Sequence, residues 1–104
     1  MGGKSMGADE EKIRTDEQIE RGKKWVEERL RELAQEQQVA IKKLEWGGDV
    51  DMQLRLPLTI HTGGKPQLEK FYEQDLADCP ADLSVKARLE TKLEAIVEFL
   101  SRSK

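Results

Sequence analysis

The sequence predicts a two-layer α+β domain in the element order α-β-β-α-α, with an antiparallel β-hairpin covered by N- and C-terminal amphipathic helices. Apolar and non-apolar residues alternate strictly over residues 52–61, which is typical of a half-buried strand. Charged segments on either side carry apolar residues at helical spacing. A length of 104 residues suits one small domain. We expect residues 15–104 to form it, and residues 1–14, whose opening segment offers little to bury, to be a disordered tag or N-terminal tail.

The first helix is predicted from about Asp16 to Gln37. Thr15 is the predicted N-cap, and Gln18 stands at the capping-box spacing from it. The apolar stripe of this helix is formed by Ile19, Val26, Leu30 and Leu33. Gly22 also lies on the stripe, where a glycine costs about 1 kcal/mol relative to alanine. It either permits a close backbone approach or is an unremarkable surface glycine.

Two strands are predicted next, at Val39–Trp46 and Met52–His61, joined through the turn-forming residues 47–51. The second strand is the clearer one, because its apolar residues all fall on one face. These residues are Met52, Leu54, Leu56, Leu58 and Ile60. Pro57 cannot donate a ladder hydrogen bond, so we expect this strand to lie at an edge of the sheet.

Two further helices complete the prediction. One begins at Lys65–Pro66, carries Leu68, Phe71, Tyr72 and Leu76, and ends at Cys79–Pro80. The last runs from near Asp82 or Ser84 to about Arg102. Its stripe consists of Val85, Leu89, Leu93, Ile96 and Leu100. At about 30 Å, this helix matches the second strand in length, which favours packing of one against the other.

The turn His61, Thr62, Gly63, Gly64 and Lys65 is the one stretch with the character of a binding site. Glycines at a strand-to-helix junction let backbone N–H groups converge on an anion, and the helix dipole would assist. The spacing is not that of a Walker loop. The alternative is an ordinary turn that uses glycine for its backbone angles.

Other chemistries find little support. The single histidine and the single cysteine, Cys79, do not make a structural zinc set, and we assign no catalytic residue, no metal ligand and no cofactor. A lone cysteine favours a reducing cytoplasm. No apolar run suits a membrane span. The net charge is −3, and the pairs Lys23–Lys24 and Lys42–Lys43 have acidic neighbours, which weighs against nucleic-acid binding.

Trp25 and Trp46 are the candidate interface residues, although both could equally complete the core of a monomer. We therefore expect a cytoplasmic, non-enzymatic domain that acts through protein–protein contacts. It either self-associates as a homodimer or binds another protein. The second hypothesis is binding of a phosphate or another small anion at His61–Lys65, with or without a modest enzyme activity. Nucleic-acid binding is the third.

Overall fold

The computed structural model describes the backbone of residues 3–102 and the side chains of residues 16–102. The elements in chain order are α1 (Gly3–Glu36), β1 (Lys43–Trp46), β2 (Arg55–His61), β3 (Gln67–Tyr72), α2 (Glu73–Asp78) and α3 (Leu83–Arg102). The strands form one antiparallel sheet in the order β1-β2-β3. The predicted α+β class is confirmed, with N- and C-terminal helices flanking the strands.

The start of the chain differs from the prediction. The backbone of α1 runs back to Gly3, so the helix does not begin beside Thr15. Residues 1 and 2 and the side chains of residues 3–15 lie outside the described part of the chain. The division into a tail, 1–14, and a domain, 15–104, stays a prediction.

The core lies between the helices and one face of the sheet. Alternation along β2 buries Leu56, Leu58 and Ile60 on this face, while the residues between them stay half-exposed. Phe71 of β3 is buried beside them, and Trp46 packs against it. The predicted helical stripes face the same core. Their buried members are Ile19, Val26, Leu30 and Leu33 of α1, and Val85, Leu89, Leu93, Ile96 and Leu100 of α3.

The helix predicted to begin at Lys65–Pro66 is wrong in its first half, where Gln67–Tyr72 forms β3. The spacing of Leu68, Phe71 and Tyr72 suggests a helix locally. However, the turn at Gly63 brings the segment back against β2, and pairing there satisfies backbone groups along six residues. Tertiary pairing thus overrides a weak local preference. Only Glu73–Asp78 is helical.

The expectation that the second strand lies at an edge is also wrong, because β2 is the central strand. Pro57 is accommodated by its register. Its carbonyl accepts a hydrogen bond from Gly47 N–H at 2.8 Å, so its backbone groups face the end of β1, one residue beyond Trp46. Opposite Lys70 it occupies a pair that requires no ladder hydrogen bond from it. The missing donor therefore falls where pairing with β1 ends.

Two contacts fix the helices to one another. Gly22 is buried against α2, and a Cβ placed there would lie 1.9 Å from the carbonyl oxygen of Leu76. The prediction of a close backbone approach at Gly22 is confirmed. Two turns further along α1, Arg29 forms a bidentate ion pair with Glu90 of α3, with Nε 2.8 Å from each carboxylate oxygen. This pair raises the pKa of Arg29 and lowers that of Glu90.

Candidate functional site

The five residues of the predicted anion-binding turn do not converge on one point. His61 lies at the end of β2 on the sheet face turned away from the helices, and its Nε2 is 2.7 Å from Oε1 of Glu45 on β1. This hydrogen bond, together with Lys43, lowers the pKa of the Glu45 carboxyl. The side chain of His61 is therefore engaged in a cross-strand contact rather than directed at the turn.

Gly63 and Gly64 serve the turn in different ways. Gly63 has a φ of 99°, which L-residues rarely adopt, and a Cβ at this position would lie 3.0 Å from Cε of Lys42. Gly64 has open space around it. Because β3 follows the turn, no helix begins at Lys65, and the expected contribution of a helix dipole to anion binding is wrong.

Thr62, Gly64 and Lys65 do line a cavity of about 640 Å³, which we call the end cavity. It lies where the C-terminal ends of α1 and α3 meet the turn between β2 and β3. Its remaining polar lining comes from Gln38 and Gln67. Its apolar walls are Val39, Ala40, Pro66, Phe99 and Leu100. Sequence reasoning located the turn but missed these walls, which come from two distant segments of the chain.

The wall at the end of α1 is shaped by a Schellman motif. Gln38 adopts a left-handed conformation with a φ of 59°, and Val39 N–H donates to the Ala34 carbonyl at 2.7 Å. Gln38 N–H donates to the Gln35 carbonyl at 3.1 Å. The motif ends the helix and turns Val39 inward, so that the floor of the end cavity is continuous with the core.

The two tryptophans are half-buried and pack against the core. The Trp46 indole N–H donates to Oε2 of Glu27 at 3.2 Å, and its ring lies 5.6 Å from that of Phe71. Nζ of Lys23 lies 5.9 Å from the Trp46 ring centroid. These contacts show how Trp46 joins β1 to α1. A role for Trp25 and Trp46 in an interface stays a prediction.

The sheet face turned away from the helices carries charges of both signs. Lys43 Nζ is 3.4 Å from Glu45, and Arg55 and Lys70 lie 3.0 Å and 3.4 Å from Oδ2 of Asp51. Each of these cations thus has a carboxylate beside it. A phosphate backbone is attracted by an uncompensated positive field, and this face does not provide one.

A second surface, missed by the sequence reasoning, is built by the loop before β2. Asp51 Oδ1 accepts hydrogen bonds from the backbone N–H groups of Gln53 and Arg55 at 2.9 Å and 3.0 Å. Oδ2 accepts from Arg55 Nε at 3.0 Å. Led by the backbone hydrogen bond from Arg55, these contacts lower the pKa of Asp51 to about 2. One carboxylate therefore organises residues 51–55.

This loop presents apolar side chains to solvent. Met52 is 101% exposed and Leu54 is 61% exposed. Tyr72 of β3, which lines the same depression as Leu54, is 49% exposed. We call these three residues the loop patch. Leu54 and Tyr72 line a depression of about 210 Å³ that has Ile19 and Ala77 among its other lining residues. The alternating pattern predicted that Met52 and Leu54 lie on the buried face of the second strand, and this prediction is wrong.

Leu54 is also held in an unfavourable conformation, with a φ of 60°. A left-handed backbone costs a residue that has a Cβ about 1–2 kcal/mol, with asparagine and aspartate as the tolerated exceptions. Hydrogen bonds from Leu54 N–H to the Asp51 carbonyl and from Glu73 N–H to the Leu54 carbonyl, both at 3.0 Å, keep it there. The loop thus displays an apolar side chain from a strained backbone.

Groups with nucleophilic or ligand chemistry are dispersed. Cys79 is buried, which raises the pKa of its thiol to about 11, and its charged neighbours are Lys86, Asp75 and Asp78. Among the side chains of residues 16–102, no group of three or more His, Cys, Asp or Glu residues is placed to hold a metal ion. No helix within residues 3–102 is both long and apolar enough to cross a bilayer.

Comparison of the chain with protein-family models, with curated proteins and with solved structures finds no match in any of the three. Its function therefore has to be inferred from its own contacts, charges and exposed surfaces.

Proposed function

We propose that this protein is a cytoplasmic, non-enzymatic interaction domain that self-associates as a homodimer through the loop patch. The observation that carries the proposal is the exposure of Met52 and Leu54 on a loop fastened by Asp51, with Leu54 in a left-handed conformation. Strained residues persist where the surrounding structure holds them, and such residues concentrate at functional sites.

The patch has the composition of an interface centre. Leucine, methionine and tyrosine supply apolar area, and Tyr72 adds a hydroxyl that retains hydrogen-bonding capacity at a partially wet surface. The depression beside Leu54 provides a recess into which a side chain of the other protomer can pack. Charged groups of both signs adjoin the patch, since Arg55 pairs with Asp51 and Glu73 lines the depression with Leu54 and Tyr72.

A second copy is the proposed partner because a two-fold interface uses the same patch twice. Apolar residues that are solvent-exposed in each protomer then cover one another. A chain of 104 residues buries a smaller share of its surface than a larger domain, so it gains comparatively more from this additional burial.

The test is sedimentation of wild-type protein, Leu54→Asn and Leu83→Ser over a wide concentration range. Asparagine tolerates the left-handed conformation, so Leu54→Asn preserves the loop and removes only the apolar side chain. Leu83 is a strongly exposed leucine at the start of α3 and provides the control.

We expect wild-type protein and Leu83→Ser to dimerise with equal affinity. Loss of a central leucine costs about 1–3 kcal/mol, and a two-fold interface loses it twice. Leu54→Asn should therefore weaken dimerisation about thirtyfold or more. A wild-type protein that stays monomeric throughout would contradict the homodimer. Equal effects of the two substitutions would place the interface away from the loop patch.

A further inference from the structure

The geometry of the end cavity points to a binding site for a small amphipathic acid, a free molecule with an apolar body and a single carboxylate. We propose this as a property separate from self-association through the loop patch. Strand β2 separates the two surfaces, since the loop patch adjoins Arg55 and the end cavity adjoins Thr62. Its seven residues place them about 20 Å apart.

The size and walls of the end cavity suit an apolar body. Its volume of about 640 Å³ is within the range of about 300–1,000 Å³ that holds small organic ligands. Val39 and Leu100 form a buried floor, and Phe99 beside them is 54% exposed. An apolar group in the cavity would cover the exposed part of the Phe99 ring, which removes apolar surface from water.

The charge of the lining selects the head group. None of the described residues that line the cavity is acidic, and Lys65 is the one cation among them. This differs from the chain as a whole, in which acidic residues outnumber basic ones. Within residues 16–102, no carboxylate lies within ion-pair distance of Lys65. One negative charge at the rim is therefore complemented by Lys65.

The remaining rim groups suit a carboxylate in particular. The Thr62 hydroxyl is a donor of the kind that binds carboxylate oxygens. The Gln67 side-chain Nε2 donates one of its two hydrogens to Oε2 of Glu69 at 2.8 Å, which leaves the second for a ligand. Both side chains flank the turn that carries Lys65. A dianionic phosphate would require more positive charge than one lysine provides, and the apolar walls offer it nothing. A molecule with an apolar body and one carboxylate would contact both the apolar walls and the polar rim of the end cavity.

The experiment is a titration of the full chain with octanoate and 3-phenylpropionate, followed by amide chemical shifts. Each acid is paired with its neutral alcohol, octanol or 3-phenylpropanol, and inorganic phosphate is titrated separately. We expect both acids to shift the backbone amides of residues 62–65, 67 and 97–100 and to leave those of 51–55 unchanged. The alcohols should bind the same residues more weakly.

Two variants separate the parts of the site. Lys65→Met keeps the length of the side chain and removes its charge, so it should weaken binding of the acids about fivefold and leave the alcohols unaffected. Phe99→Ala should weaken acids and alcohols alike. Lys24→Met is the matched control, because Lys24 is an exposed lysine about 20 Å along α1 from Gln38.

Several results would overturn the proposal. One is the absence of shifts at residues 62–65, 67 and 97–100 at millimolar acid. Another is equal affinity for acid and alcohol in both wild-type protein and Lys65→Met, which would leave only a non-selective apolar recess. A response to phosphate without a response to the acids would indicate a simple anion-binding turn. Should Phe99→Ala fail to fold, comparison of acid and alcohol on Lys65→Met still decides.

Discussion

Substitution of Gly22 by alanine tests the contact that holds α2 against α1. The added Cβ would lie 1.9 Å from the carbonyl oxygen of Leu76 and 2.5 Å from its carbonyl carbon. Contacts of a Cβ below 3.0 Å are essentially never seen, so the two elements must separate by about 1 Å or more. The obstructing atoms belong to the backbone and have no rotamer that would relieve the overlap.

The magnitude is a balance of two effects. Alanine improves helix propensity by about 1 kcal/mol over glycine in the interior of α1. Overpacking costs about 1–3 kcal/mol and more where the neighbour is rigid, and a gap opened between packed surfaces forfeits part of their dispersion energy. We expect Gly22→Ala to lower the free energy of unfolding by about 2 kcal/mol. In a domain of this size, that corresponds to a fall in Tm of about 10 °C.

The assay is urea and thermal unfolding followed by circular dichroism, with Gly48→Ala as the control. Nothing lies within 4 Å of a Cβ at Gly48, so this change should alter the free energy of unfolding by less than about 0.5 kcal/mol. The reasoning would be refuted by a Gly22→Ala protein that is as stable as wild type, or more stable. Such a result would mean that helix propensity dominates and that Leu76 does not lie against α1.

Three further predictions concern single groups. Glu90→Gln should lower the free energy of unfolding at pH 7 by about 1 kcal/mol through loss of the Arg29 pair. Because the pKa of Glu90 is lowered in the folded state, the stability that the pair contributes is present above the unfolded-state pKa near 4.5 and is lost as the pH falls through the folded-state pKa. Equal acid sensitivity of the variant and the wild type in urea unfolding would contradict this prediction. Gln38→Gly should stabilise the protein by about 0.5–1 kcal/mol by relieving the left-handed conformation, and a lower Tm would argue against that conformation. Cys79, buried and with its pKa raised to about 11, should react with a thiol reagent at pH 8 only as fast as the protein opens, whereas a rapid burst in native buffer would indicate an accessible thiolate.

Local periodicity was sufficient to predict the long elements. The stripe from Val85 to Leu100 is buried as expected, because a twenty-residue helix repeats its pattern often enough to specify one face. The alternation of Leu56, Leu58 and Ile60 was equally informative. Alternation gave a wrong prediction at Met52 and Leu54. The Asp51 carboxylate accepts hydrogen bonds from the backbone N–H groups of residues 53 and 55, and these bonds form a loop in place of the first residues of the predicted strand.

Non-local pairing explains the other errors. Nothing within Gln67–Tyr72 indicates that these residues return to β2, because only Phe71 is buried and the strand carries charged residues on both faces. If β3 is not predicted, Pro57 is expected at an edge of the sheet, and the turn between β2 and β3 is expected to start a helix. The end cavity was out of reach for the same reason, as its walls come from residues 38–40 and 99–100 as well as from the turn.

The two non-glycine residues with positive φ link stability to the proposed functions. Among the described residues these are Gln38, which lines the end cavity, and Leu54, which lies in the loop patch at the other end of β2. Glycine would adopt the left-handed conformation at either position with less strain. The side chains of Gln38 and Leu54 lie at the surfaces where we propose that the ligand and the second protomer bind. Relief of strain at one end should therefore leave binding at the other end unchanged. If Gln38→Gly gains stability without altering dimerisation, the two surfaces act independently, and a change in both would show that strain couples them through the sheet.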